Sequence, residues 1–158
     1  MTTYLLAGGG TAGHVNPLLA TADALRARDP RARILVLGTA EGLEARLVPE
    51  RGYELLTIDK VPFPRRPNRA ALAFPARFRR AVSRVRTIIA KEQVDAVIGF
   101  GGYAATPAYV AARKRVPIIV HEANAMPGLA NRLGARWAQL TAVVFPNTKL
   151  PGARVIGM

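Results

Sequence analysis

The sequence contains no cysteine and only two histidines among its 158 residues. The absence of cysteine excludes a disulfide framework and a thiolate zinc site, and two histidines are too few for a histidine-rich metal cluster. The amino terminus has no basic, apolar leader, and no apolar run approaches the ~20 residues needed to span a bilayer. We therefore expect a soluble protein of the cytoplasm.

Acidic residues are scarce, and one long segment has none. The net charge is +13, and the segment from Lys60 to Lys91 carries ten basic residues without an acidic one, so that the rest of the chain contributes only +3. A positive field of this density indicates an anionic partner, such as nucleic acid, a membrane surface or a phosphorylated substrate.

Short apolar runs alternate with helical patterns along the whole chain. The strand-like runs are Tyr4–Ala7, Ile34–Leu37, Leu55–Ile58, Ala96–Ile98, Ile118–Val120 and Ala142–Phe145. The helical patterns are Asn16–Arg28, with Asn16 as cap and Pro17 at the first position, then Leu43–Arg51, Pro75–Lys91, Thr106–Lys114 and Leu129–Ala138. This alternation predicts an α/β fold, a single Rossmann-like domain with a parallel sheet, helices on both faces and strand order 3-2-1-4-5.

Two glycine-rich loops follow the first and fourth predicted strands. Gly8–His14 reads GGGTAGH, and Gly99–Tyr103 reads GFGGY. Glycines let the backbone approach an anion, and the helix after the first loop offers free N–H groups. In the predicted strand order both loops face one crevice, where they would hold a pyrophosphate from two sides. A tight turn at Gly101–Gly102 is the simpler alternative for the second loop.

The spacing Gly8-x-Gly10-x-x-Gly13 also fits a dinucleotide fingerprint. That class of site requires an acidic residue at the end of the second strand to hold the ribose. Here the strand ends at Leu37–Thr39, and the nearest acid, Glu41, lies beyond it. An NAD-dependent enzyme is therefore a weak alternative.

A third polar loop, His121–Arg132, follows the fifth predicted strand and reads HEANAMPGLANR. A His-Glu pair at a strand end can orient sugar hydroxyls or move a proton, and Asn124 adds a further polar group. For a lone histidine a structural hydrogen bond is the alternative. Three polar loops at one crevice favour a functional site.

Together the three loops resemble the MurG family. The matching motifs are GGTAGH at Gly9–His14, GGY at Gly101–Tyr103, HEAN at His121–Asn124 and GLANR at Gly128–Arg132, with LGT at Leu37–Thr39, LVP at Leu47–Pro49 and FP at Phe145–Pro146 as further landmarks. Two positions depart from the family pattern, because Ala12 stands for a glycine and Ala123 for a glutamine. The resemblance runs from end to end of the chain.

The resemblance implies a glycosyltransferase of peptidoglycan synthesis. The family transfers N-acetylglucosamine from UDP-GlcNAc to lipid I (undecaprenyl-pyrophosphoryl-MurNAc-pentapeptide), giving lipid II, in the cleft of a two-domain GT-B architecture. Residues 1–158 would be the amino-terminal, acceptor-binding domain, with UDP-GlcNAc bound through a carboxy-terminal domain that this chain does not contain. The isolated domain would transfer sugar poorly. No cofactor and no metal are implied.

The resemblance also assigns roles to individual residues. His14 is the first choice for the general base on the acceptor hydroxyl, and Glu122 is the second. The residues expected to bind substrate are Gly10, Thr11, Ala12, Gly13, Gly101, Gly102, Tyr103, His121, Asn124 and Asn131.

The basic segment contains an apolar stripe with helical spacing. The stripe consists of Phe74, Phe78, Val82, Val85 and Ile89. Its second half reads as a helix packed on the sheet, but its first half lies in a proline-broken region beside further apolar residues. Apolar residues ringed by arginines are typical of docking to an anionic bilayer. We expect a membrane-associating surface formed by Phe63, Leu72, Phe74, Phe78, Arg77 and Arg80. The resemblance implies the same location, peripheral on the cytoplasmic face of the cell membrane.

Two other classes of function stay open. The domain is a non-catalytic scaffold if it binds the lipid without turnover. It is a nucleic-acid binder if the arginine-rich segment contacts phosphates, although aromatic residues are few there and no recognition motif is present, so that no specific nucleic acid is expected.

Overall fold

The computed structural model describes residues 1–157. Within that range seven strands form one parallel sheet in the order β3-β2-β1-β4-β5-β6-β7. The strands are β1 (Thr3–Gly8), β2 (Arg33–Gly38), β3 (Glu54–Thr57), β4 (Ala96–Gly101), β5 (Ile118–Glu122), β6 (Leu140–Val143) and β7 (Ala153–Val155). The predicted α/β class and the order 3-2-1-4-5 are confirmed. Strand β7 was not predicted, because its three exposed residues form no apolar run.

Five helices connect the strands in the described part of the chain. They are α1 (Ala12–Arg28), α2 (Glu44–Glu50), α3 (Arg69–Lys91), α4 (Ala105–Ala112) and α5 (Leu129–Gly134). None of the helices in residues 1–157 is long and apolar enough to cross a membrane.

The predicted starts of α1 and α3 are wrong, because both helices begin several residues before Pro17 and Pro75. Helix α1 starts at Ala12, directly after the glycine loop, so that Asn16 is not its cap. Helix α3 starts at Arg69, where Oδ1 of Asn68 accepts a hydrogen bond from the amide of Ala71 at 3.0 Å. Pro75 therefore lies inside a continuous helix, which tolerates the loss of one backbone donor near its start.

The sheet is covered on both faces, and each face has its own apolar core. Helices α1 and α2 pack on the first face with residues such as Val15, Leu18 and Val48. Helices α3 and α4 pack on the second face, where Val85 and Tyr109 are fully buried. The strand order changes direction between β1 and β4, so the loops after these strands meet at the carboxyl edge of the sheet, where ligands bind in open α/β sheets.

Candidate active site

The two glycine loops are in direct contact at the carboxyl edge of the sheet. A Cβ atom added to Gly102 would strike the carbonyl oxygen of Gly9, and one added to Gly101 would lie 2.8 Å from Nε2 of His14. Both Gly101 and Gly102 also have positive φ angles, of 102° and 86°. Because a side chain fits at neither position, the second loop can approach the first loop and the His14 ring.

His14 is held in one orientation by the backbone of the first loop. Its Nδ1 lies 3.0 Å from the carbonyl oxygen of Gly9 and 3.3 Å from Oγ1 of Thr11. A carbonyl oxygen only accepts, so the Gly9 contact requires that Nδ1 carries the proton. In the neutral imidazole Nε2, beside Gly101, is then the bare nitrogen, which is the form that a general base needs.

A small cavity is lined by His14 and by Gly101, the residue beside Nε2 of His14. Its volume is about 140 Å³, and its polar lining comes from His14, Tyr103, Thr106, Glu122 and Asn131. Whole ligands occupy sites of roughly 300–1,000 Å³, so this cavity has room for one reacting group rather than a complete substrate. Its wall is completed by apolar residues that include Val61, Phe63 and Phe78.

Glu122 organises the third loop from inside. One carboxylate oxygen accepts from the amide and the side-chain nitrogen of Asn124, at 2.9 and 3.0 Å, and the other accepts from the amide of Gly128 and from Nδ2 of Asn131, at 3.1 and 2.9 Å. The side chain is 1% exposed. With four donors on two oxygens, this carboxylate is occupied by the loop, and the arrangement suits positioning better than proton transfer.

Asn131 links that loop to helix α4. Its Nδ2 donates to Glu122 and to the carbonyl of His121, and its Oδ1 accepts from the hydroxyl of Tyr109 at 2.7 Å. Burial, reinforced by the charge of Glu122, raises the pKa of Tyr109 well above its ordinary value. The phenol therefore remains protonated and continues to donate this hydrogen bond.

His121 does not lie in the cavity with His14. Successive residues of a strand point to opposite faces, so His121 faces α1 while Glu122 faces α4. Its ring packs against Phe100 at a centroid distance of 5.4 Å, and within residues 1–157 its Nδ1 has no hydrogen-bond partner. Burial lowers the pKa of His121, and the nearby charge of Glu122 opposes that shift in part.

The residues expected to bind substrate are thus divided between two places. Ala12, Gly13 and His121 line an apolar groove of about 800 Å³ along α1, which we call the α1 groove. Gly101, Gly102, Tyr103 and Asn131 line the small cavity at His14, which we call the His14 cavity. Gly10, Thr11 and Asn124 are exposed at the edge of the sheet.

Sequence reasoning missed Glu44, which is fully buried beneath the first glycine loop. Its carboxylate accepts from the amide of Gly10 at 2.8 Å and from the amide and hydroxyl of Thr39 at 2.8 and 3.0 Å. Glu41 is the first acid after the second strand in the sequence, and Glu44 follows three residues later. No sequence pattern pairs Glu44 with Gly10; in the structure Gly38 and Gly42 leave room for the Glu44 side chain, because an added Cβ at either position would collide with it.

The expected membrane-associating residues form an aromatic cluster at the start of α3. The ring centroids of Phe63, Phe74 and Phe78 lie 5.2 to 6.3 Å apart. Leu72, next to them along the helix, is 84% exposed. Because Phe63 and Phe78 also line the His14 cavity, the cluster is continuous with that cavity.

Basic residues flank the aromatic cluster along α3. The side chain of Arg77 donates to the carbonyl of Lys60 at 3.0 Å, and that of Arg84 donates to the carbonyl of Thr57 at 2.8 Å. Arg80 and Arg84 line a groove of about 1120 Å³ between α3 and the edge strand β3. The charges of Arg80 and Arg84 therefore lie at the surface beside the aromatic cluster.

The fold matches the amino-terminal domains of GT-B glycosyltransferases. The crystal structure of MurG from Acinetobacter baumannii superposes with a TM-score of 0.86 at 32% identity, covering 99% of this chain and 46% of that one. A co-structure of S. aureus MnaA with UDP shares the fold, with a TM-score of 0.67 over 94% of this chain and 39% of the other at 18% identity.

The chain belongs to glycosyltransferase family 28, because residues 4–143 match the N-terminal domain of that family. It is 68% identical over 160 residues to the UDP-N-acetylglucosamine–N-acetylmuramyl-(pentapeptide) pyrophosphoryl-undecaprenol N-acetylglucosamine transferase of Clavibacter sepedonicus, covering all of this chain and 44% of the relative. The enzyme of the same name from Leifsonia xyli subsp. xyli is 67% identical, with the same coverage. The resemblance to the MurG family is confirmed, and the chain spans less than half the length of these relatives.

Proposed function

We propose that this chain is the acceptor-binding domain of a transferase that moves N-acetylglucosamine from UDP-GlcNAc to lipid I. The observation that carries the proposal is the orientation of His14, whose Nδ1 is fixed by Gly9 and whose Nε2 lies beside Gly101, another residue that lines the His14 cavity. In this reaction Nε2 of His14 takes the proton from the attacking hydroxyl of the acceptor. Glu122 and Asn131 hold the loop that forms the opposite wall.

The diphosphate of the acceptor lies at the two glycine loops in this proposal. The amide of Gly10 already donates to Glu44, so in this proposal the anion is held by the amides of Thr11, Ala12 and Gly13 at the start of α1. The first amides of a helix have no intrahelical acceptor and carry the positive end of its dipole, which favours phosphate. UDP-GlcNAc is supplied by a second, donor-binding domain, so that this chain alone binds the acceptor without efficient transfer.

The lipid tail explains the position of the aromatic cluster. A membrane-anchored acceptor must reach the base without leaving the bilayer, and Phe63 and Phe78 join the exposed cluster to the His14 cavity. Basic residues near an anionic surface each contribute about 1 kcal/mol of attraction. The domain therefore works as a peripheral protein on the cytoplasmic face of the membrane, with Arg77 and Arg80 near the lipid headgroups.

The decisive experiment is an NMR titration of the isotopically labelled chain with a water-soluble, short-chain lipid I analogue, with NADH as the matched control ligand. We expect saturable shifts of the amides of Gly8–His14 and Gly99–Tyr103 with the analogue and none with NADH. Shifts with NADH alone would replace the proposal by a dinucleotide site. Unchanged spectra with both ligands would show that this chain does not bind the acceptor by itself.

A further inference from the structure

One peptide group separates Glu44 from His14. The N–H of Gly10 donates to a carboxylate oxygen of Glu44 at 2.8 Å, and the C=O of Gly9 accepts from Nδ1 of His14 at 3.0 Å. These two groups belong to the same peptide unit, in which N–H and C=O point in opposite directions. The carboxylate of Glu44, the peptide group between Gly9 and Gly10, and the imidazole of His14 are therefore connected by a continuous series of hydrogen bonds.

The surroundings of Glu44 leave its charge free to act on this series of hydrogen bonds. The side chain is fully buried, and its second oxygen is held by the amide and hydroxyl of Thr39. No lysine or arginine of residues 1–157 forms an ion pair with it. In a buried site of low dielectric a carboxylate polarises the groups hydrogen-bonded to it more strongly than it would in water.

One glycine of the first loop fits this arrangement. A Cβ at Gly9 would collide with the carboxyl group of Glu44, and so would one at Gly42, which precedes α2. The lack of a side chain at Gly9 lets the peptide unit sit directly on the carboxylate, so Glu44 explains this glycine without any phosphate.

We propose that Glu44 is a positioning residue that acts on His14 through the peptide group between Gly9 and Gly10. A carboxylate bonded to a peptide N–H increases the electron density on the carbonyl of the same unit, because hydrogen bonds in a chain strengthen one another. The stronger acceptor at Gly9 keeps the proton of His14 on Nδ1 and leaves Nε2 bare. A carboxylate or carbonyl group that accepts directly from one ring nitrogen of an imidazole is known to fix the proton on that nitrogen. Here the carboxylate acts through one intervening peptide group.

No proton passes along the peptide in this arrangement, because its N–H and C=O keep their covalent bonds throughout. The proton removed from the acceptor hydroxyl stays on Nε2, and the negative charge of Glu44 stabilises the resulting imidazolium. The catalytic part of the inference rests on the proposed function of His14, whereas the tautomer itself does not depend on it.

The test compares the wild-type chain with Glu44→Gln by NMR of the His14 ring nitrogens and of the Gly10 amide. In the wild type we expect Nδ1 to be protonated and Nε2 bare, with the Gly10 amide proton shifted downfield by its bond to a carboxylate. In Glu44→Gln we expect the amide proton to move upfield and the tautomer with the proton on Nε2 to gain population. Glu41→Gln, an exposed acid on the same segment, is the matched control and leaves both signals unchanged.

A His14 tautomer and a Gly10 amide shift that are the same in Glu44→Gln as in the wild type would overturn the inference. If Glu44→Gln does not fold, measurements on the wild type alone still test the inference. A through-hydrogen-bond coupling between the Gly10 nitrogen and the Glu44 carboxyl carbon, together with a protonated Nδ1 of His14, supports it. A bare Nδ1 of His14 overturns it. None of these measurements uses the lipid I analogue, so a failure of acceptor binding is recognised separately.

Discussion

Two histidines near the carboxyl edge of the sheet are in opposite circumstances. His14 stands in the first turn of α1, its Nδ1 has a carbonyl partner, and its ring lines a small cavity together with residues of α4. At the end of β5, the ring of His121 packs on Phe100, its Nδ1 has no partner within residues 1–157, and the adjoining α1 groove is apolar. Under the proposal that His14 is the base, the hydrogen-bond partner of Nδ1, rather than residue type, distinguishes His14 from His121.

Replacing each histidine by glutamine tests this difference most strongly. Transfer is measured in a chimera in which this chain replaces the 160 aligned residues of the Clavibacter sepedonicus relative. We expect His14→Gln to lower kcat by about 10²–10⁴-fold, the usual contribution of a general base. His121→Gln is the matched control, with an expected loss below about tenfold. Equal losses in the two variants would contradict the assignment of the base to His14.

Removing Glu122 tests whether the wall of the His14 cavity depends on a buried carboxylate. Glu122→Ala leaves four donors without their acceptor, so we expect the free energy of unfolding to fall by roughly 2–4 kcal/mol in urea denaturation. The exposed Glu41→Ala variant is the control and should stay within about 0.5 kcal/mol of the wild type. A Glu122→Ala variant as stable as the control would mean that the loop does not rely on this carboxylate.

In the proposal, the aromatic cluster at the start of α3 binds lipid and the α1 groove does not. We expect the double variant Phe63→Ser, Leu72→Ser to bind phosphatidylglycerol vesicles about tenfold more weakly in sedimentation assays, because exposed apolar area is lost. Ile156→Ser, which removes an exposed apolar side chain from the α1 groove, is the control. Equal weakening by both changes, or wild-type binding of the double variant, would remove the membrane role from the cluster.

The smallest expected effect is the pH dependence caused by His121. Burial lowers its pKa in the folded state, so the unfolded chain binds this proton first as the pH falls through the ordinary value of 6.5. Stability should therefore decrease below that pH and be unaffected by this group above it. We expect the urea midpoint to drop less on acidification in His121→Gln than in the wild type, by a small margin because the ring is half-buried. Identical acid sensitivity in the two proteins would argue against a lowered pKa.

The predictable part of the fold was carried by apolar runs and turn residues. Each of the six predicted strands exists, because short Val- and Ile-rich runs separated by helical patterns specify a parallel sheet. The starts of α1 and α3 were not predictable from Pro17 and Pro75, since a proline is tolerated within a helix when capping and packing offset one missing donor. Strand β7 has no apolar pattern of its own.

The site was predictable at the level of loops and less so at the level of side chains. The strand order alone brings Gly8–His14 and Gly99–Tyr103 together. The separation of His121 from Glu122 follows from strand alternation and was available from the sequence. The hydrogen bond between Glu44 and Gly10 joins residues 34 positions apart and depends on how α2 packs, which no local pattern encodes.

The shared wall of Phe63 and Phe78 has a kinetic consequence. If the base lies beside the surface that docks on the bilayer, the acceptor arrives by lateral diffusion within one leaflet. The rate then follows the mole fraction of acceptor in that leaflet, and diluting the membrane with inert lipid slows turnover even when the amount of acceptor per volume of suspension is constant.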